Sequence, residues 1–270
     1  MVRYCALASG SNGNSYFIEK GDTAILVDVG ISCKQLQMRM RERNIEPDAI
    51  AGVFITHEHT DHIKGLSVFV RRYRIPVYLT RGTYAGMRCD LPPELLRFIE
   101  VNDKTTVGGL QIYSVPKYHD AGEPCSFFIS DGKSNIAVLT DIGRICDNVK
   151  RAIANSDVLI LEANYDDQLL TSGRYPTFLK NRISGGWGHL SNVVALDAYL
   201  QHRSTRLKHL ILGHLSAENN SEERVRSLFE PHCQSGTQLS IAKRTEATEM
   251  FHFGPAKVNL QTSLFAESDL

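Results

Sequence analysis

Residues 57–62 read His-Glu-His-Thr-Asp-His, and this stretch decides how the rest of the sequence is interpreted. It directly follows a short apolar segment that we predict to be a strand, and strand ends often present functional side chains from a rigid scaffold. Side chains two residues apart in extended backbone point the same way, so His57 and His59 can bind one ion together. The chain is then predicted to turn into a helix, which lets Asp61 and His62 face a second ion nearby.

Three further residues that suit metal binding follow predicted apolar strands at distant places in the chain. They are His119, Asp141 and His214. A lone residue of this kind is usually structural, but three of them, each just beyond a strand, would gather at one rim of the sheets. Imidazole suits zinc, iron and manganese, and carboxylate adds a hard oxygen ligand. The sequence therefore predicts a site for divalent metal ions.

Three other residues are candidates for roles beside the metal ligands. Asp28 ends a predicted strand and is either a plain turn residue or part of the site. Glu162 also ends a predicted strand, and we expect it to support the ligands or the fold rather than bind metal. His189 lies in a Gly-rich segment and is either an ordinary loop histidine or the group that protonates a leaving oxygen or binds phosphate.

Substrate contacts are less clearly indicated. Ser11 and Asn12 lie in the turn 9–15, whose backbone amides could meet a phosphate, although a plain hairpin turn explains the same sequence. Lys180 and Arg182 lie in the polar segment 166–189, which we expect to be an irregular insertion that selects the substrate.

The charge pattern leaves two interpretations of the first half of the chain open. Residues 34–88 hold ten Lys or Arg residues against five Asp or Glu residues, several of them on two predicted helices. A surface that follows phosphates and a solvated helix face explain these charges equally well. The whole chain has 30 residues of each sign, so its neutral total neither favours nor excludes nucleic acid.

Length and composition indicate an ordinary folded protein. The 270 residues are 42% hydrophobic and 22% charged, which suffices for a sizeable core. The six cysteines are scattered without a CxxC pair, which favours reduced thiols over a disulfide frame. No segment resembles a signal peptide or approaches the roughly 20 apolar residues of a membrane span. We therefore expect a cytoplasmic protein without a membrane partner; its oligomeric state is not indicated.

Predicted strands come in two runs, each accompanied by helices, and no linker or repeat separates them. This pattern favours one domain of two sheets with helices outside over two separate domains. We predict a single domain over residues 1–255 and a loose tail over 256–270.

These residues together resemble the metallo-β-lactamase superfamily, whose members carry HxHxDH followed by a distant His, Asp and His. The resemblance implies the α+β fold class, specifically an αββα sandwich of two mixed β-sheets with helices on the outside. It also implies that one ion is held by His57, His59 and His119, that the other is held by Asp61, His62 and His214, that Asp141 bridges both, and that Asp28 supports the loop.

Further phrases, among them ALASGSNGNS at 6–15, LEANYD at 161–166 and HLSAENN at 214–220, are similar to the YycJ/WalJ-like group of bacterial hydrolases. The resemblance implies a 5′ to 3′ DNA exonuclease in which two divalent ions, zinc or manganese with iron as a third option, share a bridging hydroxide. Asp61 and His189 are then the catalytic candidates. Tyr165 departs from the group, where we expect His, and this puts a role for position 165 in doubt.

Two alternatives to a nuclease stay open at this stage. The same metal residues would serve a hydrolase of a small ester, thioester, lactone or cyclic phosphodiester. A metal-stabilised binding protein without turnover is the third hypothesis, although a complete ligand set argues against it.

Overall fold

The computed structural model describes residues 1–254, and the predicted tail over 256–270 lies outside the described residues. The strands are β1 Val2–Ala8, β2 Ser15–Lys20, β3 Thr23–Val27, β4 Ile50–Phe54, β5 Val77–Leu79, β6 Leu96–Phe98, β7 Lys104–Val107, β8 Leu110–Pro116, β9 Cys125–Ser130, β10 Asn135–Leu139, β11 Val158–Glu162, β12 His209–Gly213, β13 Gln238–Ile241 and β14 Phe251–Phe253. The α-helices are α1 Cys33–Glu42, α2 Thr60–Ile63, α3 Leu66–Tyr73, α4 Arg81–Gly86, α5 Asp147–Ala154, α6 Asp167–Ser172, α7 Thr177–Ser184, α8 Asn192–His202 and α9 Glu222–Phe229. Short 3₁₀ turns cover Pro47–Ala49, Pro93–Leu95 and Glu230–His232.

The strands form two mixed sheets of seven strands each. The first has the order β14-β1-β2-β3-β4-β5-β6, and the second has the order β13-β12-β11-β10-β9-β8-β7. In the first sheet β3 to β6 run parallel, and in the second β10 to β13 run parallel, while the remaining pairs are antiparallel. The predicted pair of mixed sheets is thus confirmed.

Three hydrophobic layers hold the sheets and helices together. Alternate residues of a strand face opposite layers, as in β10, where Ile136 and Val138 pack between the sheets while Ala137 and Leu139 pack toward α5 and α8. On the far side of the first sheet, Leu36 of α1 and Phe69 of α3 pack in the outer layer. This order of helix, sheet, sheet and helix is the αββα sandwich expected from the resemblance.

The parallel strands place the functional candidates at one edge of the sandwich. The carboxyl ends of parallel strands meet at a common rim, where α/β proteins commonly bind ligands. Asp28 follows β3, the HEHTDH stretch follows β4, Asp141 follows β10, Glu162 ends β11, and His214 follows β12.

The segment 166–189 corrects one prediction, because it contains the helices α6 and α7 instead of irregular backbone. Asp166 caps α6 by accepting hydrogen bonds from the amides of Gln168 and Leu169, both at 3.0 Å. Pro176 stands immediately before α7. These short helices lack a strong apolar period, so the sequence of this segment predicted an irregular polar insertion instead of helices.

All six cysteines lie within the described residues. All six cysteines are free; Cys5, Cys33 and Cys125 are buried and the other three are half-buried. Within residues 1–254, no helix combines the length and apolar character needed to cross a bilayer.

Candidate metal centre

Three histidines converge on one point at the rim. The Nδ1 atom of His59 lies 3.1 Å from Nε2 of His57 and 3.2 Å from Nε2 of His119. In a tetrahedral site with metal–nitrogen bonds of 2.0–2.1 Å, two ligand atoms lie about 3.3 Å apart. The three nitrogen atoms therefore have the spacing of a ligand set that could hold one divalent ion.

A second set lies beside the first. Oδ2 of Asp61 lies 3.5 Å from Nε2 of His62 and 3.5 Å from Nε2 of His214. Asp61 and His62 belong to α2, which follows β4 of the first sheet, and His214 follows β12 of the second. They could hold another divalent ion.

Asp141 lies between the two sets. Its Oδ2 is 3.1 Å from Nε2 of His62, and its Oδ1 is 3.8 Å from Nε2 of His119. The carboxylate is buried, and Oδ2 accepts no hydrogen bond from any described residue. A buried carboxylate oxygen without a partner is costly, and a cation between the ligand sets would satisfy it. Asp141 is therefore placed where a residue bridging two ions would lie.

Hydrogen bonds on the far side of the rings fix which nitrogen atom faces the centre. Thr56 donates its hydroxyl proton to Oδ2 of Asp28 at 2.8 Å, so its oxygen accepts from Nδ1 of His57 at 3.0 Å. Nδ1 of His119 likewise donates to the carbonyl of Gly188 at 3.0 Å. Nε2 of both imidazoles is left with a lone pair directed at the centre.

Two buried carboxylates orient further rings. Oδ2 of Asp28 accepts from Nδ1 of His62 at 2.7 Å. Oε1 of Glu162 accepts from Nδ1 of His214 and from Nδ1 of His189, each at 2.8 Å, while Oε2 accepts from two backbone amides. All acceptor positions of Glu162 that face the protein are thus in use, which fits a supporting residue better than a ligand.

The pKa values of the buried carboxylates and histidines are shifted as expected for a site that holds positive charge. Burial alone would raise the pKa of Asp141, but the charges of His214 and His62 outweigh burial and hold it well below the ordinary value. Burial would lower the pKa of His214, but the charge of Asp141 and the hydrogen bonds that the ring donates to Asp61 and Glu162 raise it to about 10. Without a metal, protons on the histidines thus balance the carboxylates. Metal ions would replace these protons, so binding should release protons to solvent.

Two histidines of the first set, His57 and His119, have pKa values that are lowered instead of raised. Burial lowers the pKa of His119 to about 3 and lowers the pKa of His57 well below its ordinary value. Neutral imidazole is the form that binds a metal ion. These two rings are therefore held in the form required of a ligand.

The backbone bends sharply where the strands deliver their side chains. Asp28, Asp141 and His214 all have positive φ angles, of 62°, 54° and 55°. A non-glycine residue in this region costs roughly 1–3 kcal/mol and is concentrated at functional sites. Next to Asp28, a Cβ atom on Gly30 would lie 1.7 Å from the carbonyl oxygen of Asp61, so glycine is required for the two loops to touch.

Of the other residues considered in the sequence analysis, some lie at the histidine cluster and some do not. His189 joins the histidine cluster, with its ring centroid 5.4 Å from that of His119. Ser11 and Asn12 are exposed in the turn before β2. Lys180 donates to the carbonyl of Thr171 at 2.6 Å. Tyr165 is buried and belongs to none of the ligand sets.

Arg182 lies near the centre but is paired. Its Nε donates to Oδ2 of Asp120 at 2.6 Å. Asp120 follows His119, and its Oδ1 lies 3.5 Å from Nε2 of that histidine. Arg182 thus reaches the edge of the site with its charge partly balanced.

Most of the basic residues counted over residues 34–88 are exposed, but two arginines are engaged inside the protein instead. Arg39 is buried and donates to the carbonyls of Leu7 at 2.7 Å and Arg244 at 3.0 Å. Arg43 donates to the carbonyls of Ala247, at 2.6 Å, and Thr248. These arginines connect the α1 region to β1 and to the segment before β14, so neither interpretation of the charge pattern holds for them.

The sequence analysis did not propose several residues that lie at the site. The buried Asn14 lies with Nδ2 3.2 Å from Nε2 of His62 and 3.4 Å from Oδ2 of Asp61. Thr56 orients His57, as described above. The buried Lys117 donates to the carbonyl of Thr140 at 2.8 Å, and its charge helps to lower the pKa of His57 and His119. Only Thr56 carried a signal, since it adjoins the motif.

Comparison with known protein families gives one clear match. A family model described as "Beta-lactamase superfamily domain" matches residues 23–215. Exodeoxyribonuclease YycJ of Bacillus anthracis is 33% identical over 228 residues, covering 83% of this chain and 86% of the relative. Exodeoxyribonuclease WalJ of Streptococcus pneumoniae serotype 2 is 37% identical over 227 residues, covering 82% and 84%.

Solved structures with low sequence identity share the fold. The metallo-β-lactamase fold protein YhfI of Bacillus subtilis superposes with a TM-score of 0.72 at 18% identity, covering 92% of this chain and 100% of that one. Zn²⁺-bound PqqB of Methylobacterium extorquens superposes with a TM-score of 0.71 at 16% identity, covering 92% and 99%.

Proposed function

Because the chain belongs to the beta-lactamase superfamily, we propose that it is a metal-dependent exodeoxyribonuclease that holds two divalent ions and removes nucleotides from 5′ ends of DNA. One observation above all supports metal-dependent hydrolysis. Oδ2 of Asp141 is buried, accepts no hydrogen bond from the described residues, and lies between the two sets of ligand atoms. The choice of DNA is supported by relatives named exodeoxyribonucleases at 33% and 37% identity over most of the chain.

The ligand set fits the proposed ions. His57, His59 and His119 would hold one ion, and Asp61, His62 and His214 the other, with Asp141 between them. This mixture of imidazole and carboxylate suits zinc, manganese and iron alike. Ions bound there would lower the pKa of a water molecule to near neutrality and neutralise charge on a phosphate.

His189 is placed to handle the leaving group. Its Nδ1 is engaged with Glu162, while Nε2 makes no hydrogen bond to any residue in the described part of the chain. The side chain is 22% exposed at the edge of the cluster. Nε2 is thus the atom that can pass a proton to the leaving oxygen or bind a phosphate oxygen.

Two cationic residues adjoin His59 and would help to bind the strand. Lys64 and Arg88 are exposed and line a groove together with His59 and Thr60. Neither has an ion pair among residues 1–254. Free cations in a groove beside the scissile phosphate would attract the DNA backbone.

The proposal is tested with manganese-loaded protein and duplex DNA labelled at either the 5′ or the 3′ end. We expect the 5′ label to appear early as a mononucleotide, while the 3′-labelled strand shortens progressively. A small phosphodiester and a thioester are assayed in parallel. Rapid hydrolysis of either compound with intact DNA would instead indicate a small-molecule hydrolase, and no hydrolysis of any substrate would indicate a binding protein.

Two variants connect this activity to the site. Removing a residue that only hydrogen-bonds to a metal ligand typically lowers activity by about 10- to 100-fold. Asp61→Ala and His59→Ala remove a ligand itself, so each should lower DNA hydrolysis by more than this. Matched controls are Asp48→Ala and His252→Ala, which remove the same side chains at exposed positions outside the ligand sets. Full activity in Asp61→Ala or His59→Ala would show that hydrolysis does not take place at the proposed site.

A further inference from the structure

One arginine and two aromatic side chains adjoin the metal ligands without belonging to them. The guanidinium of Arg144 lies 3.6 Å from the ring centroid of Tyr118 and 5.7 Å from that of Trp187. The two rings lie 5.3 Å apart and are nearly perpendicular, at 80°. We call Tyr118, Arg144 and Trp187 the aromatic–arginine cluster.

Short backbone contacts tie this cluster to the centre. The amide of Gly143 donates to the carbonyl of Tyr118 at 2.6 Å, and the amide of Asp120 donates to the carbonyl of Trp187 at 3.0 Å. A Cβ atom on Gly143 would lie 2.6 Å from Cα of Trp187, so only glycine lets the loops touch. Because Tyr118 also precedes His119, the cluster is held at a fixed place relative to the metal ligands.

Two of the three cluster residues are exposed, and the charge of Arg144 is unpaired among the described residues. Trp187 is 52% exposed, and Arg144 is also exposed. Over residues 1–254, the Arg144 guanidinium makes no hydrogen bond or ion pair, and its contacts are with the two rings. Asp120, two residues after Tyr118 in the chain, is paired with Arg182 at 2.6 Å. The five N–H groups of Arg144 are therefore available to an anion.

We propose that the aromatic–arginine cluster binds one unpaired nucleotide of the DNA strand, with the base stacked on Trp187 and a neighbouring phosphate on Arg144. The inference rests on the proposed function. Aromatic faces bind bases of any sequence by stacking, and this requires a base that is not already stacked in a duplex. A guanidinium that lies over a ring can still use its N–H groups for two hydrogen bonds to a phosphate.

The chain offers a direct probe, because Trp187 is its only tryptophan. Protein treated with EDTA, so that DNA stays intact, is titrated with a ten-nucleotide oligothymidylate and with an abasic oligomer of the same length. We expect saturable quenching of the tryptophan fluorescence by the oligothymidylate and little quenching by the abasic oligomer. Equal changes with both oligomers would overturn the base-stacking role.

The second test uses kinetics with the metal-loaded enzyme on DNA that has an unpaired 5′ end. Trp187→Ala should lower kcat/KM by about five- to 100-fold, as expected for one stacked base, and Trp187→Phe should restore most of it. The loss should shrink when the terminal nucleotides are abasic. A loss of the same size on both substrates would overturn the inference.

The third test addresses the phosphate. Arg144→Gln should reduce the slope of the logarithm of DNA affinity against the logarithm of salt concentration by about 0.7, the contribution of one phosphate contact on a single strand. Arg203→Gln is the matched control, since Arg203 also lies over a tyrosine ring, at 5.0 Å from Tyr199. The same slope in both variants would overturn the role of Arg144. If the wild type neither binds nor cleaves DNA, the proposed function itself fails; if it cleaves DNA while these variants behave as wild type, only the subsite fails.

Discussion

At the residue scale, the orientation of each imidazole depends on what binds its other nitrogen atom. Thr56, Asp28, Gly188 and Glu162 each provide an acceptor for a different histidine, and the opposite nitrogen atom of each ring then faces the centre. Such partners fix the tautomer and the orientation of a ligand before a metal ion binds. The quality of the site therefore depends on residues that never touch a metal.

Thr56 offers the clearest test of this idea. Thr56→Val keeps the shape of the side chain but leaves Nδ1 of His57 without a partner, while Oδ2 of Asp28 keeps only its hydrogen bond from His62. We expect metal affinity to fall by about 10- to 100-fold. The measurement is competition for zinc against a chelator of known affinity.

Thr56→Ser is the matched control, because it keeps the hydroxyl and should keep most of the affinity. Circular dichroism spectra of both variants should match that of the wild type. If Thr56→Val binds zinc as tightly as Thr56→Ser, the hydroxyl does not orient His57.

The ligand candidates could be proposed from the sequence, while most of their partners could not. The HEHTDH motif is compact, and His119, Asp141 and His214 each follow an apolar strand, which leaves a readable pattern. Gly188 acts through its backbone carbonyl, which no residue type reveals. Lys117 acts through its buried position, which is set by tertiary packing alone.

At the element scale, the ends of parallel strands bring distant residues together. One or two residues after the ends of β3, β10 and β12, a residue with positive φ turns its side chain out of the sheet toward the rim. The strand predicted before the HEHTDH stretch is present as β4. The helices α6 and α7 escaped prediction because capping and local contacts define them rather than an apolar face.

A buried histidine at the start of β12 makes stability depend on pH. Nδ1 of His209 meets the hydroxyl of Tyr4 and Nε2 meets that of Ser240, both at 2.9 Å, and burial lowers its pKa to about 4. The unfolded pKa is about 6.5, so between these values the unfolded chain binds more protons. Stability is therefore lost as the pH falls from about 6.5 toward 4, and this group should account for about 2 kcal/mol between pH 7 and pH 5.

His209→Gln removes this titration while keeping groups that can hydrogen-bond to Tyr4 and Ser240. Urea unfolding of EDTA-treated protein should show that the variant loses about 2 kcal/mol less than the wild type between pH 7 and pH 5. His252→Gln, at an exposed position in β14, is the control and should behave as the wild type. Equal losses in His209→Gln and the wild type would show that His209 is not responsible.

At the scale of the whole molecule, each sheet supplies part of the centre. The HEHTDH stretch follows β4 of the first sheet, whereas Asp141 and His214 follow strands of the second. The sequence predicted two sheets and a common rim, and the resemblance implied that Asp141 bridges the two ligand sets. It did not predict the distances from the Asp141 oxygen atoms to Nε2 of His62 and His119, 3.1 and 3.8 Å. Those distances depend on how the sheets pack, which involves some of the largest buried side chains, such as Tyr16, Phe54 and Phe127.

The most direct measurement is an anomalous-scattering map from crystals of the protein grown with manganese. The account predicts two peaks about 3.5–4 Å apart, one among His57, His59 and His119 and the other among Asp61, His62 and His214, with Asp141 contacting both. A map without peaks among these residues, or with metal bound only elsewhere, would contradict it.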